Sequence, residues 1–121
     1  MTELQRQLDR ELEAFREVQR DMQKTVQTKA QLLSQSNENE MVMEELGRLD
    51  EDSNVFKLIG PALIKQDLTE ARANVSKRLD YIRGESARVD ALIKGLQDKA
   101  AARQTEIMKL QKRAAGAAGG S

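Results

Sequence analysis

The stretch SNVFKLIGPALIKQDL, residues 53–68, interrupts a chain whose remaining sequence is typical of long helices. It is rich in β-branched and apolar residues, and Gly60-Pro61 divides it into two halves. Glycine tolerates the positive φ of a tight turn, and proline ends a hydrogen-bonded ladder. The sequence therefore predicts a β-hairpin, with strand composition over residues 55–59 and 62–64.

This hairpin is expected to need partners. A two-stranded hairpin is marginally stable in water, and its two edges, rich in Val, Ile, Leu and Phe, favour aggregation when they are left unpaired. Lys57 and Lys65 reduce this tendency without covering the edges. Pairing with hairpins of other chains in a closed sheet or barrel removes the edges altogether. The alternative is a helix-to-helix loop whose apolar residues cover a coiled-coil end, although such loops are usually short and polar.

The composition excludes a compact core of ordinary kind. The chain has 121 residues, a third of them charged, and its only aromatic residues are Phe15, Phe56 and Tyr81. A core of this size normally relies on large side chains. The 20 Lys and Arg balance the 20 Asp and Glu, which argues against a disordered chain and against binding to nucleic acid or membrane surfaces. Extended helices within a single domain fit these facts.

Several classes of chemistry are excluded by missing residue types. Without Cys there is no disulfide, thiolate zinc site or thiol nucleophile, and without His the commonest general base is absent. The acidic residues are spread along helical faces, so we expect no enzyme, no cofactor and no metal. The first thirty residues resemble no signal peptide, and no run approaches the ~20 apolar residues of a membrane span. A soluble, cytoplasmic protein is expected.

Two helices flank the hairpin. Apolar residues recur at helical spacing from Leu4 to Leu49, which predicts a first helix over residues 3–49. The segment SQSNENE, residues 34–40, has no apolar residue. We predict that it is helical with a hydrated seam, and a loop is the alternative.

The second helix is predicted over residues 69–113, with Thr69 as its N-cap. From Val75 to Leu110 the apolar residues keep a heptad register for about five heptads, which is enough to indicate a coiled coil. Gly84 and Gly95 point outward in this register, and we expect them to let the helix bend. The sequence AAGAAGGS, residues 114–121, is predicted to be a flexible tail.

Folding the two helices antiparallel about the hairpin brings their seams into register. Leu8 then faces Leu110, and the a positions of one helix fall opposite d positions of the other. Phe15 faces Arg103, with Glu11 one layer away. We predict a cation–π contact supported by an ion pair.

Residues 55–82, VFKLIGPALIKQDLTEARANVSKRLDYI, closely resemble the central segment of β-class prefoldin subunits. The preceding NENEMVMEELGRLDEDSNV is similar to the end of helix one in the same family. The resemblance implies an ATP-independent co-chaperone hexamer, in which two α-class and four β-class subunits pool their hairpins into a double β-barrel. Six coiled coils then hold non-native proteins, foremost actin and tubulin, and deliver them to a group II cytosolic chaperonin.

The resemblance also implies two sets of site residues. The barrel contacts would be Val55, Phe56, Leu58, Ile59, Leu63 and Ile64. The client-binding tip would comprise Met1, Leu4, Leu8, Leu12, Ile107, Met108 and Leu110. The alternative for each tip residue is ordinary packing in the seam between the helices. This alternative has the least support for Leu12 and Met108, which lie off the seam and are expected to face solvent. Flexible methionine suits a surface with many ligands.

A different function also fits the helices. A structural coiled-coil tether or scaffold subunit without chaperone activity would show the same periodicity. The apolar hairpin argues against it, because a tether has no use for an unpaired β element between its helices. A role in a related, prefoldin-like complex stays open as well.

Overall fold

The computed structural model describes residues 2–119 of the chain, and the side chains of residues 2–117. Helix α1 spans Glu3–Gly47, strand β1 Val55–Ile59, strand β2 Ala62–Gln66 and helix α2 Leu68–Gly119. Two long helices with a two-stranded antiparallel hairpin between them confirm the predicted fold of the single chain. Over the described residues, neither helix contains a segment long and apolar enough to cross a bilayer.

Helix α1 begins with a capping box. The backbone N–H of Gln5 donates to Thr2 Oγ1 at 3.2 Å, and the backbone N–H of Thr2 donates to Gln5 Oε1 at 3.1 Å. These two bonds satisfy donors that the first turn of a helix leaves unpaired. The start of α1 is therefore determined by two local side chains.

Residues 34–40 are helical, as predicted, and the alternative loop is wrong. Ser36 and Asn39 lie half-buried at the seam. The Asn39 side-chain amide donates to the carbonyl oxygen of Gln35 at 2.7 Å, so this polar side chain is satisfied within its own helix. Good helix formers on both sides carry the helix through a segment that has nothing apolar to pack.

Helix α2 differs from the prediction at both ends. It begins at Leu68, so Asp67 occupies the N-cap position and Thr69 lies in the first turn. Aspartate is as favourable as threonine at an N-cap, and starting one residue earlier lets Leu68 be buried. At the other end the helix continues to Gly119, because alanine is the best helix former and one glycine costs only about 1 kcal/mol.

The structure consists of two compact units. The first contains residues 2–28 and 89–119, where the start of α1 packs beside the end of α2. Its most buried side chains all belong to α2: Val89, Leu96, Ile107 and Leu110. Arg103 Nη1 binds both oxygens of Glu11, at 3.0 and 3.1 Å, so the ion pair of the predicted antiparallel register is present. The cation–π contact of Arg103 with Phe15 stays a prediction.

The second unit, residues 29–88, has its core at the base of the hairpin. The buried cluster consists of Leu46, Leu68, Ala71, Val75 and Leu79. Met43, Leu49 and Val55 pack against this cluster and are partly buried. Met43 and Val75, which the antiparallel register places opposite each other, thus share one core.

The hairpin pairs Ile59 with Ala62 next to the turn and Val55 with Gln66 at the base. Gly60 has a φ of 58°, and proline follows it with its φ restricted to about −65°. A positive φ at the first central position followed by a negative one is the pattern of a type II′ turn, which suits the twist of paired strands. Strand β2 extends to Gln66, two residues beyond the predicted strand.

Two glycines of the second unit allow a test of backbone conformation alone. Apart from neighbouring residues of the chain and the backbone of the same helix, neither Gly60 nor Gly84 has an atom within 4 Å of the position that a Cβ would occupy. Gly84→Ala is expected to raise the free energy of unfolding by about 1 kcal/mol, because alanine is favoured in a helix interior. Gly60→Ala is expected to lower the free energy of unfolding by about 1–2 kcal/mol. The φ of Gly60, 58°, lies in the left-handed region, where the Cβ of alanine is unfavourable. Urea unfolding at a fixed chain concentration measures both changes. Equal effects of the two substitutions would contradict the different backbone conformations described for Gly60 and Gly84.

Candidate functional site

The register divides the hairpin side chains between two faces, because successive residues of a strand point to opposite sides. The first, here called the leucine face, consists of Phe56, Leu58, Leu63 and Lys65. The second, the isoleucine face, consists of Val55, Lys57, Ile59, Ala62, Ile64 and Gln66. Each face therefore carries apolar side chains and one lysine.

Most of this apolar surface is exposed. Leu58 and Leu63, which are directly opposite each other, each have 67% of their surface exposed. Phe56, Ile59 and Ile64 are about half exposed. Both faces and both edges are thus open in a single chain, an arrangement that marks an interaction surface or an aggregation hazard. Five of the six side chains expected at barrel contacts are available to a partner.

Val55 is the exception among the expected barrel contacts. It is half-buried and packs against the core cluster at the base of the hairpin. Its side chain fixes the first residue of β1 to the helices, which leaves less of it for a partner. The sequence places Val55 in the hairpin, but only the packing shows that it anchors this element.

Arg72 connects the two helices below the hairpin. Its Nη2 donates to the carbonyl oxygens of Leu46, at 2.8 Å, and Leu49, at 3.2 Å. Its Nε donates to the Leu46 carbonyl as well, at 3.1 Å. The last carbonyls of a helix lack intrahelical partners and carry the negative end of its dipole. A half-buried guanidinium of α2 therefore caps the end of α1.

Sequence reasoning missed the role of Arg72, which is noticeable there only as a basic residue early in the second helix. A usable signal was present, because the antiparallel register places position 72 opposite position 46. An arginine opposite the last turn of a neighbouring helix is well suited to bind its free carbonyls. Arg72 thus sets where the chain leaves α1 towards the hairpin.

The residues expected to bind clients lie in the first unit with different exposures. Ile107 and Leu110 are buried, and Leu4, Leu8 and Leu12 are half-buried. Met108 has 64% of its surface exposed, and Met1 lies outside the described residues. Leu12 faces solvent less than its position off the heptad seam suggests, because the apolar stripe of α1 is wider than a strict seam.

Charged side chains surround the seam of the first unit. A groove of about 450 Å³ is lined by Glu11, Ala14, Glu17, Val18, Asp21, Lys99, Ala102, Arg103 and Glu106. Four of these side chains are acidic and two are basic.

In the second unit, Glu85 accepts hydrogen bonds from Arg88. These bonds and the negative charge of Glu85 raise the pKa of the Arg88 guanidinium, which stays charged. Among the described residues, no group of acidic side chains is suited to hold a metal ion.

Comparison with known proteins gives consistent matches. A family model described as a prefoldin subunit matches residues 9–114. The chain is 45% identical to prefoldin subunit 6 of Arabidopsis thaliana over 111 residues, which is 92% of this chain and 86% of that protein. It is 43% identical to prefoldin subunit 6 of Homo sapiens over 83 residues, 69% of this chain and 64% of that protein. Residues 35–82 look most like the eukaryotic prefoldin subunit six within this family, and these matches confirm that likeness.

A solved structure has the same fold. The crystal structure of the prefoldin beta subunit from Thermococcus strain KS-1 aligns with a TM-score of 0.80 and covers 85% of this chain and 90% of that one. Sequence identity between the two is 20%, so this likeness concerns the fold alone. Two helices joined by one hairpin are thus a known arrangement for such a subunit.

Proposed function

The chain belongs to the prefoldin subunit family, and we propose that it acts in an ATP-independent co-chaperone that holds non-native proteins and delivers them to a group II cytosolic chaperonin. Subunits of this family are chaperone components and not enzymes. The observation that carries the proposal is the apolar hairpin, whose Leu58 and Leu63 are two-thirds exposed in the single chain. Such a surface requires partner subunits, which a tether between two helices would not need.

Family membership implies assembly with other prefoldin subunits. We propose a hetero-hexamer of two α-class and four β-class subunits, in which this chain, with its single hairpin, is β-class. The hairpins join in β-barrels, where edge pairing satisfies the backbone groups that β1 and β2 leave free. The barrel contacts are Phe56, Leu58, Ile59, Leu63 and Ile64, with Val55 at the base. The proposed location is the cytoplasm, where the chaperonin acts.

Client binding is assigned to the coiled-coil end that carries both chain termini. Met108 is the most accessible large apolar side chain among the described tip residues, and flexible methionine adapts to many ligands. Leu4, Leu8 and Leu12 are half-buried, whereas Ile107 and Leu110 are buried. These two residues reach a client only when the last turns separate, which helix ends do at low free-energy cost. Non-native actin and tubulin are the proposed client class.

Removing residues 1–12 and 104–121 from this chain in the assembled complex is expected to weaken client holding. The complex is added without ATP to a denatured client such as actin, and aggregation is followed by light scattering. The concentration needed for half-suppression is expected to rise about tenfold, as follows from losing about 1.4 kcal/mol of binding free energy. Unchanged suppression would show that the client site lies elsewhere.

A point substitution refines this test. Met108→Lys removes one exposed apolar side chain at the tip, and Leu92→Lys makes the same change at a half-exposed site of α2 nearer the middle of the chain. Met108→Lys is expected to weaken suppression measurably, and Leu92→Lys to leave it unchanged. Equal effects of the two variants would indicate a general response to added charge.

A further inference from the structure

The apolar seam of the first unit is interrupted on α2. Leu96 and Ile107 are buried, each with 8% of its surface exposed. The two seam positions between them hold Ala100 and Arg103, and no residue from 97 to 106 is a large apolar one. Because a helix rises about 1.5 Å per residue, α2 presents no large apolar side chain to the seam over about 16 Å. The alanines of this stretch keep it helical without packing, because alanine is the best helix former.

The opposite side of the seam, on α1, borders open space. Phe15 and Val18, which the antiparallel register places opposite Arg103 and Ala100, are only half-buried. Val18 borders two grooves: the charged groove of about 450 Å³ described above, and a mostly apolar one of about 370 Å³. The second groove is lined by Phe15, Val18, Gln19, Met22, Gln23 and Ala100. Side chains that border open grooves keep contact with water, so they bury less apolar surface and stabilise the seam less.

An ion pair occupies the place of an apolar contact in this stretch. Arg103 Nη1 binds both carboxylate oxygens of Glu11, at 3.0 and 3.1 Å. The side chain of Arg103 is 47% exposed and that of Glu11 is 20% exposed. An ion pair so open to water contributes little to stability, and dissolved salt screens it. Residues 11–18 of α1 and 99–106 of α2, here called the weak layer, thus hold the two helices together less firmly than the seam on either side.

Apolar packing resumes beyond the weak layer, in the terminal segment, which consists of residues 2–10 of α1 and 107–117 of α2. Ile107 and Leu110 are buried there, whereas the leucines of α1 are half-buried. Parts of a protein that few buried contacts join to the rest open locally as units. The terminal segment meets this condition, because the weak layer joins it to the rest of the first unit.

We propose that the two helices of the terminal segment separate as one unit, with the weak layer as the boundary of the opening. The inference rests on the client binding proposed for this end and extends it, since fraying of the last turns would release residues one by one. Opening as a unit exposes Ile107 and Leu110 together, and a client that binds only the open form favours it. Glu11 and Arg103 set how often the segment opens, because their pairing replaces firmer apolar packing.

Amide hydrogen exchange tests this boundary in the assembled complex. Peptides of this chain are followed by mass spectrometry, and those from residues 107–117 are expected to exchange at least about tenfold faster than those from residues 89–96. The reason is that separated helices as short as these are marginal in water, so their amides lose protection when the segment opens. The change is expected to be a step at residues 99–106 and not a gradual rise towards the chain end.

Glu11→Leu combined with Arg103→Leu fills the weak layer with apolar side chains. A buried leucine contributes more to stability than an exposed ion pair does, so exchange of residues 107–117 is expected to slow about tenfold. A lower open fraction lowers the apparent affinity of a client that binds only the open form. The concentration of complex that half-suppresses client aggregation is therefore expected to rise at least about twofold, since the other subunits keep their own binding sites.

The matched control is Glu13→Leu combined with Arg20→Leu. These two residues form an ion pair at 3.2 Å on the exposed surface of α1, where their side chains are 61% and 58% exposed. The control removes the same two charges and adds the same two leucines outside the seam. We expect it to leave the exchange step in place and client suppression undiminished.

Even protection across residues 89–117 of the unaltered chain would show that the terminal segment does not open as a unit. If the Glu11 and Arg103 variant slows exchange but suppresses aggregation as before, opening does not serve client binding and the inference is wrong. If the control slows exchange equally, the effect comes from added leucine and not from the weak layer. Should the unaltered complex fail to suppress aggregation, the proposed function itself is wrong, while a step in exchange would still establish the opening.

Discussion

Leu58→Lys is expected to leave the chain helical and to abolish its assembly with other prefoldin subunits. Leu58 and Leu63 are directly opposite each other on the leucine face, and both are two-thirds exposed in the single chain. In the proposed barrel these side chains are covered by a neighbouring hairpin. A lysine there would bring an unpaired charge into an apolar interface, which costs several kcal/mol. We expect association to weaken about a thousandfold, which corresponds to about 4 kcal/mol.

Native mass spectrometry of the chain with its partner subunits measures this effect directly. Tyr81→Lys is the matched control, because Tyr81 is 69% exposed but lies on α2 beyond the hairpin, and its replacement should leave the complex intact. The isolated chain offers a second measurement. There the substitution should reduce self-association, because it removes an apolar side chain from an open strand pair. Assembly of Leu58→Lys at the concentration that suffices for the unaltered chain would contradict the assigned role of the hairpin.

Arg72→Met is expected to lower the free energy of unfolding by about 2–3 kcal/mol. The guanidinium makes three hydrogen bonds to the carbonyl oxygens of Leu46 and Leu49. Charge-assisted hydrogen bonds of this kind are stronger than neutral ones. Their loss leaves the Leu46 carbonyl with only the longer bond from the Leu49 N–H, at 3.4 Å. Methionine has similar length and apolar packing, so the change reports mainly on the lost hydrogen bonds. Urea unfolding at fixed chain concentration measures it.

Arg83→Met provides the control on the same helix. Arg83 forms an exposed ion pair with Asp80 at 3.5 Å, and such surface pairs contribute about 0–1 kcal/mol. Arg72→Lys should be intermediate, because an ammonium group cannot reproduce the planar fork that reaches both carbonyls. If Arg72→Met is no more destabilising than Arg83→Met, Arg72 does not hold the end of α1. If Arg72→Met lowers the free energy of unfolding as expected, it should also weaken assembly. The reason is that the segment leading into the hairpin begins at the end of α1.

Local chemistry was sufficient for the main elements of this protein. Gly60-Pro61 between two apolar runs predicted the hairpin, because the turn depends on the φ preferences of its own two residues. The heptad register predicted that the helices run antiparallel, and the ion pair of Glu11 with Arg103 agrees with it. Good helix formers were enough to predict the helix through residues 34–40. Each of these features depends on residues that are close in sequence or repeat with one period.

The sequence by itself thus determined two helices, one hairpin and the need for a partner to cover that hairpin. Only the tertiary structure decided that Val55 anchors the hairpin, that Arg72 caps the neighbouring helix, and that Val42 lines a groove together with residues of both strands. The reason is that these roles depend on the distance between side chains of different elements. Periodicity assigns a residue to a face, whereas the packing of that face determines what the residue contacts and how much of it a partner can reach.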